Sequence, residues 1–142
     1  MDSEHSGPSR GDRVGGRYRV DAELGRGSFG GVYRAFDLGM QHGEVALKVL
    51  HAQRCARIVD QKRFAREAAL LARLRHPNVV RTMDYGVTDD GVPYIAFELL
   101  VGRPLDRVIA GEGALDIALV RRIGTGILAA LVAAHDLGIV HR

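Results

Sequence analysis

The stretch "LGRGSFGGV", residues 24–32, decides the fold of this chain. Its glycines at 25, 27 and 30 have the spacing G-x-G-x-x-G, which lets backbone N–H groups approach phosphate oxygens without a side chain in the way. A glycine-rich hairpin turn gives the same string, and a dinucleotide-binding loop needs a helix directly after the glycines. The following residues, "GVYRAFDL" (31–38), have no helical period. We therefore predict that the loop joins two strands.

Composition describes an ordinary globular domain. The 142 residues are 46% hydrophobic and 26% charged, with a formal net charge of only +3. The charges form no block and tryptophan is absent, so we predict no nucleic-acid partner. A single cysteine, Cys55, excludes an internal disulfide and suits a reducing compartment. Without an apolar leader or a run of about 18 apolar residues, we expect a cytoplasmic protein with no membrane segment in this chain.

The order of periodic segments predicts an α+β fold, with a small antiparallel sheet from the first 100 residues and helices after it. Residues 1–14 are polar and rich in Ser, Gly and Pro, which is typical of a flexible leader. The predicted strands are 17–24, 30–38, 43–50 and two within 79–100, around the Asp-Asp-Gly turn at 89–91. The predicted helices are 60–80, stopped by Pro77, then 104–111, and one from Asp116 to about Leu137.

Two charged side chains occupy apolar patterns. In "VALKVL" (45–50), alternation places Lys48 with Ala46 and Leu50, on the face opposite Val45, Leu47 and Val49. On the helix, Glu67 is the single carboxylate in a stripe of Phe64, Glu67, Ala68, Leu71 and Leu74. The simpler interpretation of Lys48 is an ammonium group that reaches water, and that of Glu67 is a carboxylate at the edge of the stripe. Because a buried charge needs a partner, we instead predict that Lys48 and Glu67 pair.

With these features in place, the sequence resembles a eukaryotic-type (Hanks-type) serine/threonine protein kinase of the bacterial kind. The resemblance rests on "GRGSFGGV", "VALKVL", the Glu67 helix, "RHPNVV" and the terminal "IVHR", in the family's order and over about residues 15–142. It implies a kinase small lobe over 15–97 (an antiparallel sheet with one regulatory helix), a hinge at 98–103, and the truncated start of the large lobe at 104–142.

The resemblance also implies roles for single residues in binding ATP. Gly25, Gly27 and Gly30 would cover the phosphates, with Phe29 at the loop tip. Lys48 would hold the α- and β-phosphates and pair with Glu67. The adenine ring would lie between Leu24, Val32 and Ala46, in front of a gatekeeper Phe97, with its edge bound by the backbone of Glu98 and Leu100. Val101 departs from the polar or acidic residue that often follows the hinge in this family.

His141 and Arg142 match the first two residues of the family's His-Arg-Asp motif, and the sequence stops before the aspartate. The base, the magnesium ligands and the activation segment would lie beyond this point, so magnesium and a protein substrate are expected only with a full-length enzyme. We therefore assign no metal ligand within residues 1–142. We expect an ATP-binding portion of a kinase that is catalytically inactive by itself.

The helix from Asp116 supports the same interpretation, because "ILAALVAA" (127–134) is apolar at every position and needs cover on all sides. Either the missing large lobe or another chain would supply that cover. One alternative is a non-catalytic module that binds nucleotide weakly or caps a full kinase. Another is an unrelated regulatory α+β protein in which these motifs coincide by chance.

Overall fold

The fold is taken from a computed structural model, which describes residues 7–39, 43–51 and 58–140. The strands in this part of the chain are β1 (Arg13–Val14), β2 (Tyr18–Arg26), β3 (Gly30–Asp37), β4 (Gly43–Leu50), β5 (Thr82–Val87) and β6 (Pro93–Glu98). The helices are α1 (Ile58–Arg73), α2 (Leu105–Glu112) and α3 (Ile117–Asp136). The α+β fold is confirmed.

The six strands form one antiparallel sheet in the order β1-β2-β3-β4-β6-β5. Helix α1 lies between β4 and β5 in sequence and packs against β5 and β6. The predicted turn at 89–91 joins β5 to β6. It is closed by Thr88, whose carbonyl accepts from the Gly91 N–H at 2.8 Å, and Gly91 adopts a φ of 78°, which favours glycine.

Alternation along β2, β3 and β4 puts the hydrophobic core on one face of the sheet, whereas residues 93–96 of β6 are all buried. The core contains Val14, Tyr18, Val20, Tyr33, Ala35, Val45, Leu47, Val49, Tyr94 and Ala96. The predicted division of β4 is confirmed, because Val45, Leu47 and Val49 are buried while Ala46, Lys48 and Leu50 are only half-buried. The second face of β3 and β4, which carries Val32 and Lys48, is therefore only half-buried.

A polar network joins the two ends of the sheet. The Arg17 guanidinium, just before β2, donates two hydrogen bonds of 2.7 Å to Asp37 at the end of β3 and a third of 3.2 Å to Asp84 on β5. The Tyr18 hydroxyl also donates to Asp84 at 2.7 Å. Because β2 and β5 lie near opposite edges of the sheet, these bonds hold it in a curled form. Burial and the Asp84 hydrogen bond raise the pKa of Tyr18, which remains a neutral donor.

The structure corrects two boundaries. Arg13 and Val14, which the sequence assigns to a flexible leader, pair with β2, and Val14 is buried in the core. Helix α1 ends at Arg73 rather than continuing to Pro77. Proline clashes with the carbonyl four residues before it, which here belongs to Arg73, so the helical pattern cannot continue through Pro77.

The chain divides into two compact units. The first contains the sheet and α1, comprising residues up to Arg73 and Arg81–Leu99. The second contains Leu74–Val80 and residues from Leu100 onward, with α2 and α3. Asp116 caps α3 by accepting from the Ala118 N–H at 2.6 Å, and Gly138 follows the helix with a φ of 72°. The capping residue is the one at which the sequence predicts this helix to begin.

Candidate nucleotide site

The glycine loop, residues 24–32, is the tight connection between β2 and β3. The Gly27 N–H donates to the Gly30 carbonyl at 2.9 Å, which places Ser28 and Phe29 at the tip. Phe29 is 59% exposed there, and Leu24, on the strand leading in, is also exposed. The loop joins two strands, as the sequence predicts.

The three glycines of the motif differ in what the fold requires of them. A Cβ on Gly30 would lie 2.2 Å from the Val49 carbonyl oxygen, so packing against β4 requires glycine there. A Cβ on Gly25 would meet nothing within 4 Å, and one on Gly27 would lie 4.0 Å from the Gly30 oxygen. Neither of these two has a positive φ. The fold does not require glycine at 25 or 27, which leaves open access to the backbone as the reason for them.

This difference predicts that Gly30→Ala changes mainly stability, whereas Gly27→Ala changes mainly ATP binding. Gly30→Ala is expected to lower the free energy of unfolding by about 1–3 kcal/mol, because the added methyl meets backbone atoms that cannot move aside cheaply. Gly27→Ala is expected to change it by less than about 0.5 kcal/mol while weakening ATP binding. Urea unfolding and ATP titration of both variants measure the two effects. Equal destabilisation by both substitutions would contradict the assignment.

Cross-strand register brings the other predicted residues of the first unit onto the half-exposed face of the sheet. Val32 on β3 lies opposite Lys48 on β4, and Lys48 lies opposite Ile95 on β6. Two residues before Lys48 on β4, and on the same face, Ala46 lies opposite Phe97 on β6. Val32, Ala46, Lys48 and Phe97 are all half-buried. The glycine loop therefore leads directly onto a surface that combines apolar side chains with two cations, Lys48 and the Arg34 that lies opposite Ala46 and pairs with Asp21.

Lys48 and Glu67 do not form the predicted ion pair in the structure. None of the salt bridges between described residues joins Lys48 to Glu67. Ala68 is fully buried, but Glu67 is exposed, so its predicted orientation toward the core is wrong. The physical reason lies in the packing: α1 rests on β5 and β6, and Glu67 stands at the edge of the apolar stripe.

Glu98, at the end of β6, makes two hydrogen bonds with the Arg81 backbone. Its backbone N–H donates to the Arg81 carbonyl at 2.9 Å, and its Oε1 accepts from the Arg81 N–H at 2.6 Å. Leu100 and Val101, at the start of the second unit, are exposed. His141 and Arg142 lie outside the described residues.

Comparison with known proteins identifies this arrangement. The sequence model of the protein kinase domain matches residues 18–142. The chain belongs to the protein kinase family.

Named relatives of this chain are bacterial serine/threonine kinases. It is 37% identical over 132 residues to the serine/threonine-protein kinase pkn3 of Myxococcus xanthus, covering 93% of this chain and 24% of the relative. It is 38% identical over 136 residues to PksC of Streptomyces coelicolor, covering 91% and 24%. The crystal structure of the Mycobacterium tuberculosis PknI kinase domain is similar, with a TM-score of 0.79 and 33% identity, covering 95% of this chain and 55% of that one. The chain thus spans about a quarter of the length of these curated relatives.

A cluster of metal-ligating side chains is absent from the described part of the chain. Within residues 7–39, 43–51 and 58–140, no group of three or more His, Cys, Asp or Glu side chains could hold a metal ion. Magnesium prefers carboxylate, water and phosphate oxygens.

Helix α3 carries a broad apolar surface in the second unit. Its exposed large side chains are Ile117, Val120, Ile127, Leu128 and Val132. Contrary to the expectation from composition, it is long and apolar enough to cross a membrane, with a mean hydropathy of 1.8 over 18 residues. The core helix of a soluble protein meets the same criterion, and α3 lies entirely within the residues that match the kinase domain. We therefore interpret it as a helix of the kinase fold.

The sequence patterns miss one contributor to the site. His51 directly follows β4, and its ring Nε2 lies 3.1 Å from the Gly27 carbonyl oxygen, while its backbone N–H donates to the Phe29 carbonyl at 3.2 Å. A lone histidine after a strand has no periodic signature. Only the pairing of β3 with β4 places it beneath the loop.

Proposed function

We propose that residues 1–142 form the ATP-binding portion of a serine/threonine protein kinase, an enzyme that transfers the γ-phosphate of ATP to serine or threonine of proteins. The observation that carries this proposal is the freedom of Gly25 and Gly27. Glycine costs backbone entropy, and neither packing nor backbone conformation requires it at these positions. Backbone N–H groups without a neighbouring side chain suit phosphate oxygens.

The sheet face beside the loop suits the rest of the nucleotide. Leu24, Val32 and Ala46 provide apolar contact for the adenine ring, and Phe97, opposite Ala46, closes the space behind it. Because the Glu98 N–H already donates to Arg81, we assign the adenine contact of this residue to its carbonyl. Leu100 supplies the second backbone contact of the hinge.

Lys48 provides the cation that the α- and β-phosphates need. An ammonium group on a half-buried strand position is stabilised when it meets an anion. We propose that Glu67 pairs with Lys48 only in the nucleotide-bound state, since α1 leaves its carboxylate exposed here. His141 and Arg142 are proposed as the first part of the catalytic loop.

Phosphoryl transfer also needs the catalytic aspartate and the magnesium ligands, and residues 1–142 contain no complete His-Arg-Asp motif. We therefore propose that a polypeptide of these residues binds ATP or ADP and transfers no phosphate.

A paired experiment tests both halves of this proposal. Mg-ATP is expected to raise the melting temperature of the purified chain, because a ligand that binds only the native state stabilises it. Incubation with radiolabelled ATP and a generic protein substrate is expected to give no labelled protein. The absence of a melting shift at millimolar Mg-ATP contradicts the nucleotide site, and labelled substrate contradicts the predicted inactivity.

A further inference from the structure

His51 contacts the glycine loop through two carbonyl oxygens. Its ring approaches the Gly27 carbonyl at 3.1 Å, and its backbone N–H binds the Phe29 carbonyl at 3.2 Å. Because a carbonyl oxygen can only accept, the ring Nε2 must carry hydrogen and act as the donor. Both the Nε2–H neutral tautomer and the imidazolium satisfy this requirement. The histidine therefore restrains the loop from the side of β4.

These two bonds fix the direction of the loop amides. No peptide bond between described residues is cis, and in a trans peptide the N–H points opposite to the C=O. When the Gly27 and Phe29 carbonyls point toward His51, the N–H groups of Ser28 and Gly30 point away from it. The orientation of the donors at the loop tip is thus set before any ligand arrives.

The same contact also replaces a bond within the loop. The Gly27 N–H donates to the Gly30 carbonyl, but the reciprocal bond from the Gly30 N–H to the Gly27 carbonyl is not formed in the described loop. A closed two-residue hairpin has both bonds. In this loop the ring of His51 takes the Gly27 oxygen instead.

We propose that His51 is a positioning residue for phosphate binding. By holding the Gly27 and Phe29 carbonyls, it keeps the Ser28 and Gly30 amides directed to the side on which a nucleotide phosphate binds. The proposal rests on the nucleotide site proposed above, and it adds a residue that acts on the phosphates alone. Adenosine, which lacks phosphates, should not depend on it.

The test compares His51→Ala, His51→Gln and the unchanged chain in NMR titrations with ATP, ADP and adenosine. Loss of the ring donor is expected to weaken ATP and ADP binding about three- to tenfold, the range that a single hydrogen bond supports. Adenosine binding is expected to remain unchanged. Glutamine keeps an N–H donor near the same place and is expected to restore at least half of the lost affinity. His135→Ala, which removes an exposed ring from α3, is the matched histidine control and is expected to bind like the unchanged chain.

The outcomes separate this inference from the proposed function. If the unchanged chain binds ATP and His51→Ala binds it equally well, the role of His51 is wrong and the nucleotide site stands. If His51→Ala weakens adenosine as much as ATP, the residue supports the fold rather than the phosphates. If the unchanged chain binds none of the three compounds, both the proposed function and this inference are overturned.

Discussion

A Lys48→Met variant is expected to lose the thermal stabilisation that Mg-ATP gives to the unchanged chain. Lys48 is the cation that the β3–β4 pairing places opposite Val32, next to the glycine loop. Methionine keeps the length and apolar stem of lysine but cannot neutralise phosphate charge. At a ligand concentration one hundred times the Kd, binding contributes about 2.7 kcal/mol, which is a readily measured shift in melting temperature.

The control for this variant is Lys62→Met, because the chain contains only these two lysines and Lys62 is exposed on α1. Lys62→Met is expected to keep the full Mg-ATP shift. Both variants are also expected to unfold near the melting temperature of the unchanged chain when no nucleotide is present, since neither lysine belongs to the core. An undiminished Mg-ATP shift in Lys48→Met would remove Lys48 from the site.

The sequence predicts much of the first unit because strands such as β3 and β4 have a single buried face. Alternation in β4 places Val45, Leu47 and Val49 on one face and Lys48 on the other, as the structure has it. The Gly91 turn and the Asp116 cap are equally local signals. Features determined by neighbouring residues are therefore readable without the structure.

Features that depend on distant residues are not readable in this way. Strand β1, with only Arg13 and Val14, is too short to show alternation, and only its pairing with β2 identifies it as a strand. The periodicity of α1 identifies the apolar stripe but not which strands it packs on, and this choice leaves Glu67 exposed. The contact of His51 with Gly27 spans 24 positions and carries no motif.

The same limitation applies to the polar network that holds the sheet in a curled form. Arg17 and Asp84 are 67 positions apart, and nothing in either sequence context marks them as partners. In the sequence, Arg17 is one of many arginines, and Asp84 lies within a stretch that predicts two strands. The structure instead makes them a link between the two ends of a curled sheet.

Replacing Arg17 with methionine is expected to destabilise the first unit strongly. The substitution leaves the buried carboxylate of Asp37 without its two shortest hydrogen bonds, and Asp84 without one of its donors. Removing one partner of a buried ion pair costs about 3–5 kcal/mol. Because the Arg17 side chain is 38% exposed, water screens part of this loss, and we expect about 2–3 kcal/mol. Urea unfolding measures this difference directly.

Two further variants show whether this loss of stability comes from the Asp37 carboxylate that no longer contacts a guanidinium. Arg103→Met breaks the exposed pair with Glu112 in the second unit and is expected to cost less than about 0.5 kcal/mol. The double variant Arg17→Met/Asp37→Leu removes both charges and is expected to recover about half of the loss, because an uncompensated buried charge is then absent. Recovery stays incomplete since Asp37 also accepts from the Gly39 N–H at 2.9 Å. If Arg17→Met lowers the free energy of unfolding no more than Arg103→Met does, the Arg17 network does not stabilise the curled sheet.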